Sequence, residues 1–376
     1  MNHYAIVGTW NFRGGERGVQ VLRYDPATSE MTHLGHYDSE VNAGQQYFDP
    51  NRNVLYIVDE SNGRPGETAG GGYIRAYKLD PATGELRYMN ESCVLMTKPS
   101  YFWLDKSGEY AMVSAHTGRE SVTKVVRMPD GSLGSCVVYE DVGVALMRVN
   151  EDGSLGPVCD VALYDGITPL PNQVHAHPHS VKASPSGEIF YACDKGLDMI
   201  YSYKIDREKG KIIRMAETPM GFATAPRYSV FHPTLPVLYE NNETSREIFA
   251  FRYCEKTGAL EEINRVSVCE DAETVSPSDI VIHPSGQYVY AAIRSANKLV
   301  VLSVDGETGA ITPVQTVDSG DGPRGITVDP DGRFLLCANT DAQEIRSFPI
   351  GEDGTLGESR PVAEVPNAAN LSIIRV

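Results

Sequence analysis

The chain has no apolar run long enough to span a bilayer, no CxxC pair and no block of lysine and arginine. It also lacks the GxGxxG, P-loop, GxSxG and HExxH signatures. The first absence argues against a membrane helix, and the others against a zinc ribbon, a dinucleotide or nucleotide phosphate cradle, a nucleophile elbow and a helical zinc protease site. The opening MNHYAIVGTW has neither the basic start nor the apolar stretch of a secretory signal, so a soluble, cytoplasmic protein is expected. Seven cysteines are an odd number without paired spacing, and reduced thiols are expected rather than a disulfide framework. The formal charge of −17 repels nucleic acid phosphates and anionic lipid alike, so neither is an expected partner.

What the chain does have is a repeat. With 376 residues, 41% of them hydrophobic and 22% charged, it must form two domains or one large repetitive architecture. One pattern recurs: two apolar residues, then Asp, His or Ser with Pro, a polar residue, Gly, and an alternating aromatic and aliphatic run. The copies are YFDPNRNVLYIVDE, WLDKSGEYAMVSAH, KASPSGEIFYACDK, VFHPTLPVLYENNE, VIHPSGQYVYAAIR and TVDPDGRFLLCANT. Each of these six heads is followed by a tail ending in a turn, as in YKLDPATGELRYM or LSVDGETGAITPV, and the tails number seven. The N-terminal HYAIVGTWN then reads as a shortened seventh head. Antiparallel strands, four per unit at a period of about fifty residues, fit the blades of a β-propeller. The expected fold is therefore all-β: a seven-bladed β-propeller of four-stranded antiparallel blades, closed by pairing of the N- and C-terminal strands. It forms one domain, 1–376, with an insertion at about 118–141 that duplicates a tail without a head.

The turn glycine of each head gives a register. Residues eight before and eight after it should lie opposite each other at the hairpin's open end. The pairs so found are Gly44 with Glu60, Ser100 with His116, His179 with Lys195, Arg227 with Glu243, Ser278 with Arg294, and Arg324 with Thr340. Nearly all are polar, although the strands between them are apolar. If the heads form the inner strands, these positions gather around the central channel. Polar strand ends are also ordinary solvated ends; the gathering of Arg227, Arg294 and Arg324 in so acidic a chain favours a binding site for an anion.

The stretch QVHAHPHSV places His175, His177 and His179 at alternate positions. A metal site, a solvated loop, or a catalytic or substrate-binding role for His179 are the readings open to it; Pro178 interrupts the regular strand that a zinc face would need. The glycine-rich GRPGETAGGGY at 63–73 has no P-loop ending and reads as a loop near the cleft entrance.

The stretches HPHSVKASPSGEIFYACDKGLDMIYSYKID, PRYSVFHPTLPVLYENNE and GPRGITVDPDGRFLLCAN resemble the lactonase family of seven-bladed β-propellers. That family contains a bacterial 6-phosphogluconolactonase and the fungal 3-carboxy-cis,cis-muconate lactonizing enzyme. The resemblance implies His179, Arg227, Glu243 and Arg294 as catalytic residues in the central cleft, the same positions that the repeat register singles out. Glu60, His116, His177, Lys195 and Arg324 are the accompanying candidates for substrate binding. Three departures stand beside these positions: the family's Pro-Arg-His is Pro226-Arg227-Tyr228 here, and His116 and Arg294 follow Ala115 and Ile293.

The activity implied is cofactor- and metal-independent hydrolysis of a small anionic sugar lactone, 6-phosphogluconolactone being the first candidate. Glu243 or His179 would act as base and the arginines would hold the anion or oxyanion. A lactonizing cycloisomerase of a carboxylated muconate-type substrate and a non-catalytic propeller scaffold for protein partners are the alternatives. The sequence leaves the oligomeric state open.

Overall fold

The computed structural model describes the chain except residues 11–16, 65, 67–69, 117–120, 169, 171–172 and 271–274. Seven four-stranded antiparallel sheets follow one another around a ring. Counting blades from the N-terminus, the innermost strands of blades 2 to 7 are Ala43–Asp49, Pro99–Leu104, Pro178–Ala183, Pro226–Phe231, Pro277–Ile282 and Pro323–Val328. Each packs on the next. Five of them begin with proline, which has no N–H to offer a ladder and is tolerated at a strand's first residue.

Blade 1 takes its three outer strands from the N-terminus and its innermost strand, Ala368–Arg375, from the C-terminal end of the sequence. His3–Thr9 pairs with that strand from His3↔Arg375 to Thr9↔Ala368. The ring therefore closes through backbone hydrogen bonds and leaves no open inner edge at the junction.

Adjacent blades are also locked by a repeated tyrosine contact. The tyrosine of a head donates its hydroxyl to a carbonyl in the tail turn of the following blade: Tyr56 to Gly153 at 2.8 Å, Tyr239 to Gly309 at 3.0 Å and Tyr290 to Gly354 at 3.0 Å. Those glycines have φ of 87°, 79° and 74°, a conformation that side chains disfavour, so the turn motif of the tails is fixed by backbone geometry.

A separate two-stranded sheet, Ser121–Arg127 with Leu133–Tyr139, lies between the second and third strands of blade 3. It follows the blade's second strand, Tyr110–Ala115, in the sequence. The Tyr139 ring rests on His175 at 4.3 Å, and Thr97 Oγ1 donates to Glu140 Oε2 at 3.0 Å, tying the hairpin base to the blade edge. All seven cysteines are free thiols. Of the glycine-rich stretch at 63–73, residues 65 and 67–69 fall outside the described residues; the rest connects two strands of blade 2.

Candidate active site

The inner hairpins do not pair in the simple register that the repeat suggests. In blade 4 Pro178 faces Asp194 and Ser180 faces Cys193, so His179 is an extra residue with no partner in the ladder. The same irregularity occurs at Ser100, Arg227, Ser278 and Arg324, at Gly44 and Gln45 together, and at Ala369. Each is a β-bulge, which turns the extra residue out of the strand's alternation. The second member of each pair lies one residue beyond its strand, its N–H bonded two residues before the bulge: Lys195 to His177 O at 3.2 Å, Glu243 to Ala225 O at 2.7 Å, Arg294 to Ser276 O at 3.0 Å. The expected face-to-face register is thus shifted, while both sets of residues remain at the same end of the channel.

A bulge strands a backbone N–H, and here the side chains of the second strand recover it. Arg227 N donates to Glu240 Oε1 at 3.1 Å and Tyr228 N to Asn241 Oδ1 at 3.0 Å. Glu240 is fully buried, and burial raises its carboxyl well above the usual carboxylate range. Just before this bulge, Ala225 holds φ of 59°, a left-handed conformation costing about 1–2 kcal/mol for a residue with a Cβ. It is held there by Asp198, whose Oδ1 accepts the Ala225 N–H at 2.7 Å and whose Oδ2 accepts that of Ala223 at 2.7 Å.

Charged groups from three blades meet at Glu243. Its Oε2 accepts from Arg227 Nε at 3.0 Å and from Lys195 Nζ at 3.0 Å, and Arg294 Nη2 lies 3.6 Å from Oε1. Burial alone would raise this carboxyl; attraction to Lys195, Arg227 and Arg294 overrides burial and holds it far below the usual carboxylate range. Arg227 is 2% exposed, donates to Ser278 O in blade 6 and stacks over the Tyr228 ring at 4.3 Å. Burial pulls Lys195 down to about 8 against the pull of Glu243. The Arg294 guanidinium is lowered by burial first and by Arg227 second; its Nη2 donates to Ser276 Oγ at 2.9 Å.

On the other side of the channel the imidazoles assemble. His116 Nε2 lies 2.9 Å from Glu60 Oε1. The His116 ring stacks on His177 at 4.2 Å and on His179 at 5.1 Å, and Tyr228 meets His179 edge-on at 5.1 Å. His179 is 7% exposed, and its Nδ1 is buried without a hydrogen-bond partner among the described residues. Burial, followed by the charges of Arg227 and Lys195, holds its pKa well below the ordinary histidine range, so the ring is neutral near pH 7. Asp194 Oδ1 positions this segment by accepting the N–H groups of His177, Gly196 and Leu197 at 2.7, 2.9 and 3.2 Å.

Glu60, His179, Arg227, Tyr228 and Arg324 line one recess together with Trp10. The Arg324 guanidinium lies over the Trp10 indole at 4.8 Å. His116 and His177 adjoin this recess through Glu60 and His179, and Lys195, Glu243 and Arg294 through Arg227. All nine candidate residues are thus brought together. The three histidines of QVHAHPHSV are not: His175 packs against the inserted hairpin. Among the described residues no group of three or more His, Cys, Asp or Glu is arranged to hold a metal ion.

The sequence reading missed Trp10, Ala369, Gln45 and Tyr228 as recess residues. Trp10 and Ala369 are the blade 1 equivalents of the other pairs, but their hairpin is assembled from opposite ends of the chain and has no turn glycine from which to count. Gln45 shares with Gly44 the bulge opposite Val58, so the count from the turn glycine picks only one of the two. Tyr228 was visible as a departure from the family pattern beside Arg227.

The fold is a seven-bladed β-propeller whose channel mouth carries a cation-rich, histidine-walled recess. The chain belongs to the family described as lactonase, 7-bladed beta-propeller, whose model matches residues 4–373. It is 25% identical over 350 residues to a 6-phosphogluconolactonase of Bacillus subtilis (strain 168), covering 92% of this chain and 90% of that protein. A 6-phosphogluconolactonase of Formosa agariphila is 25% identical over 351 residues, with 91% of each covered. Among solved structures, the Pseudomonas aeruginosa periplasmic gluconolactonase PpgL superposes with a TM-score of 0.84 at 26% identity, covering 100% of this chain and 99% of that one.

Proposed function

We propose that this lactonase-family protein hydrolyses the ring ester of a small, negatively charged sugar lactone, with 6-phosphogluconolactone the first candidate. The observation that carries the reading is the charge balance at the channel mouth. Lys195, Arg227, Arg294 and Arg324 gather beside the carboxylates of Glu60 and Glu243, a cationic cluster in a protein of net charge −17. The names of the Bacillus and Formosa relatives support the same substrate class.

Glu243 is too strongly stabilised as a carboxylate to be a good base, since a base works best with a pKa near the working pH. Its role is to hold Lys195, Arg227 and Arg294 in place. The neutral imidazole of His179 takes the proton from the attacking water. The imidazolium so formed is costly beside Arg227 and Lys195 until the substrate's own negative charge offsets them, which ties proton transfer to occupancy of the site. Arg227 and Arg294 stabilise the tetrahedral oxyanion, Arg324 and Lys195 grip the substrate anion, and the His179 imidazolium passes the proton it took from water to the leaving alkoxide as the ring C–O bond breaks, with His116, oriented by Glu60, and His177 as its stacking support.

The reading needs no cofactor or metal. It takes the chain as one domain, 1–376, with the hairpin region at about 118–141 as an insertion, acting in the cytoplasm on a small molecule rather than on nucleic acid or a membrane surface. Among the described residues no helix is long and apolar enough to cross a membrane.

The test is a panel of lactones, phosphorylated and not, assayed by acid release with and without a chelator. Chelator-resistant hydrolysis, strongest for a phosphorylated sugar lactone, is expected. Absence of hydrolysis across the panel, with instead a loss of diene absorbance from a carboxylated muconate, would replace hydrolysis by cyclization.

A further inference from the structure

The opposite mouth of the channel, on the side of the head turns, opens into a cavity of about 690 Å³. That lies within the range of small-molecule sites, roughly 300–1,000 Å³. Its inner wall comes from the same strands that carry the candidate active site. Lys182 is three residues beyond His179 on Pro178–Ala183, roughly 10 Å along the strand at ~3.3 Å per residue. Tyr47, Trp103 and Val230 stand at the matching positions of blades 2, 3 and 5.

The charges here are unbalanced in a specific way. The rim carboxylates are already engaged: Asp49 with Arg52 at 2.8 Å, and Asp105 with Arg207. Lys182 makes no ion pair or hydrogen bond among the described residues. Its ammonium instead sits 5.4 Å from the Tyr101 ring centroid and 5.9 Å from that of Trp103, and it lines the cavity. Burial weakens the hold of Lys182 on its proton; Asp279, the carboxylate that acts on it, is itself bonded, its oxygens accepting the N–H groups of Ile280 and Ile326 at 2.8 and 2.9 Å. Tyr47 and Trp103 meet at 5.2 Å in a T-shaped contact, giving the cavity an angled aromatic corner beside the cation.

We propose that this turn-side mouth is a second ligand site, for a small organic anion whose carboxylate or phosphate pairs with Lys182 and whose flat ring packs against Tyr47 and Trp103. Aromatic faces near a partly desolvated ammonium hold it in place without neutralising it, so an incoming anion gains a charge-assisted bond in a sheltered setting. The site is independent of the lactone reading, because none of its residues belongs to the candidate active site.

The chain has two tryptophans, Trp10 at one mouth and Trp103 at the other, so a Trp10→Phe background makes Trp103 the sole indole reporter. Titration of its fluorescence with benzoate, phenyl phosphate and neutral benzyl alcohol tests the proposal. Saturable quenching by benzoate or phenyl phosphate is expected, identifying the preferred head group, with benzyl alcohol inert. Lys182→Met, which keeps the aliphatic stem, should weaken that binding about tenfold or more, and Val230→Phe, which fills the cavity from another blade, should weaken it as well in a protein of unchanged melting temperature. No saturable response to either anion, or equal responses in the Lys182→Met protein, or equal binding of benzyl alcohol, overturns the proposal.

Discussion

Lys195 Nζ and Glu243 Oε2 lie 3.0 Å apart across the seam between blades 4 and 5. Because Glu243 also holds Arg227 of its own blade and faces Arg294 of blade 6, a single carboxylate joins three blades at the channel mouth. Replacing it with glutamine leaves three cations facing one another. Glu243→Gln is expected to lower hydrolysis at least a hundredfold and also to destabilise the fold, by about 3 kcal/mol, the lower end for breaking a buried pair because the side chain is still 24% exposed. Its carboxyl is depressed in the folded state, so its stabilisation is complete above the unfolded value of about 4.3 and is lost as pH falls through the folded value. Denaturant melts of wild type and variant should therefore converge only in strong acid; a constant gap from pH 7 to pH 2 would contradict this.

His179→Asn should remove the proton acceptor while leaving the cationic grip intact. A fall in kcat of about 10²–10⁴ with KM changed little is expected. Steady-state kinetics on the best lactone of the panel decide it, and an unchanged kcat would transfer the base role to His116.

Lys195, pulled down to about 8 by burial, loses its charge as pH rises through that value in the free protein. Affinity for an anionic substrate should fall with it, so kcat/KM should decline above pH 8 while kcat, measured with the anion bound beside the lysine, holds to higher pH. Lys195→Arg should move the alkaline limb of kcat/KM upward. A pH profile of the two proteins that coincides would show that this cation does not grip the substrate.

Arg227→Lys keeps a charge but loses the planar fork that reaches both Glu243 and Ser278 O. A charged hydrogen bond is worth about 1.5–3 kcal/mol, so activity should drop ten- to a hundredfold or more. Near-normal turnover would take Arg227 out of the reaction.

Deleting Ala368–Arg375 removes the innermost strand of blade 1 and exposes the edge of His3–Thr9. Loss of the cooperative melt and association into larger species by size-exclusion chromatography are expected. A monomer that still melts cooperatively would mean that the ring does not need this closure.

Blade number, ring closure and the cluster of Arg227, Glu243 and Arg294 were legible because turn glycines and alternating apolar strands repeat at a regular period. The pairing register was not, because a bulge adds one residue to a strand without altering its composition: nothing in PHSVKA marks His179 as unpaired. Trp10 escaped for a different reason, its partner Ala369 being far away in the sequence. Lys182 looked like the polar half of an ordinary alternation, and only the assembled channel shows it beside Tyr101 and Trp103 with no carboxylate in contact.

The bulge in every innermost strand also bears on how such a protein changes over generations. A residue that belongs to no ladder pair can be exchanged without shifting the register of its strand. His179, Arg227, Ser278 and Arg324 can thus change without shifting the register of the strands beneath them, although Arg227 and Ser278 are tied across blades through Glu243, Ser278 O and Pro323 O. Substrate preference can therefore be altered at the bulge positions while the ladder pairs, Tyr228 with Asn241 among them, keep the register.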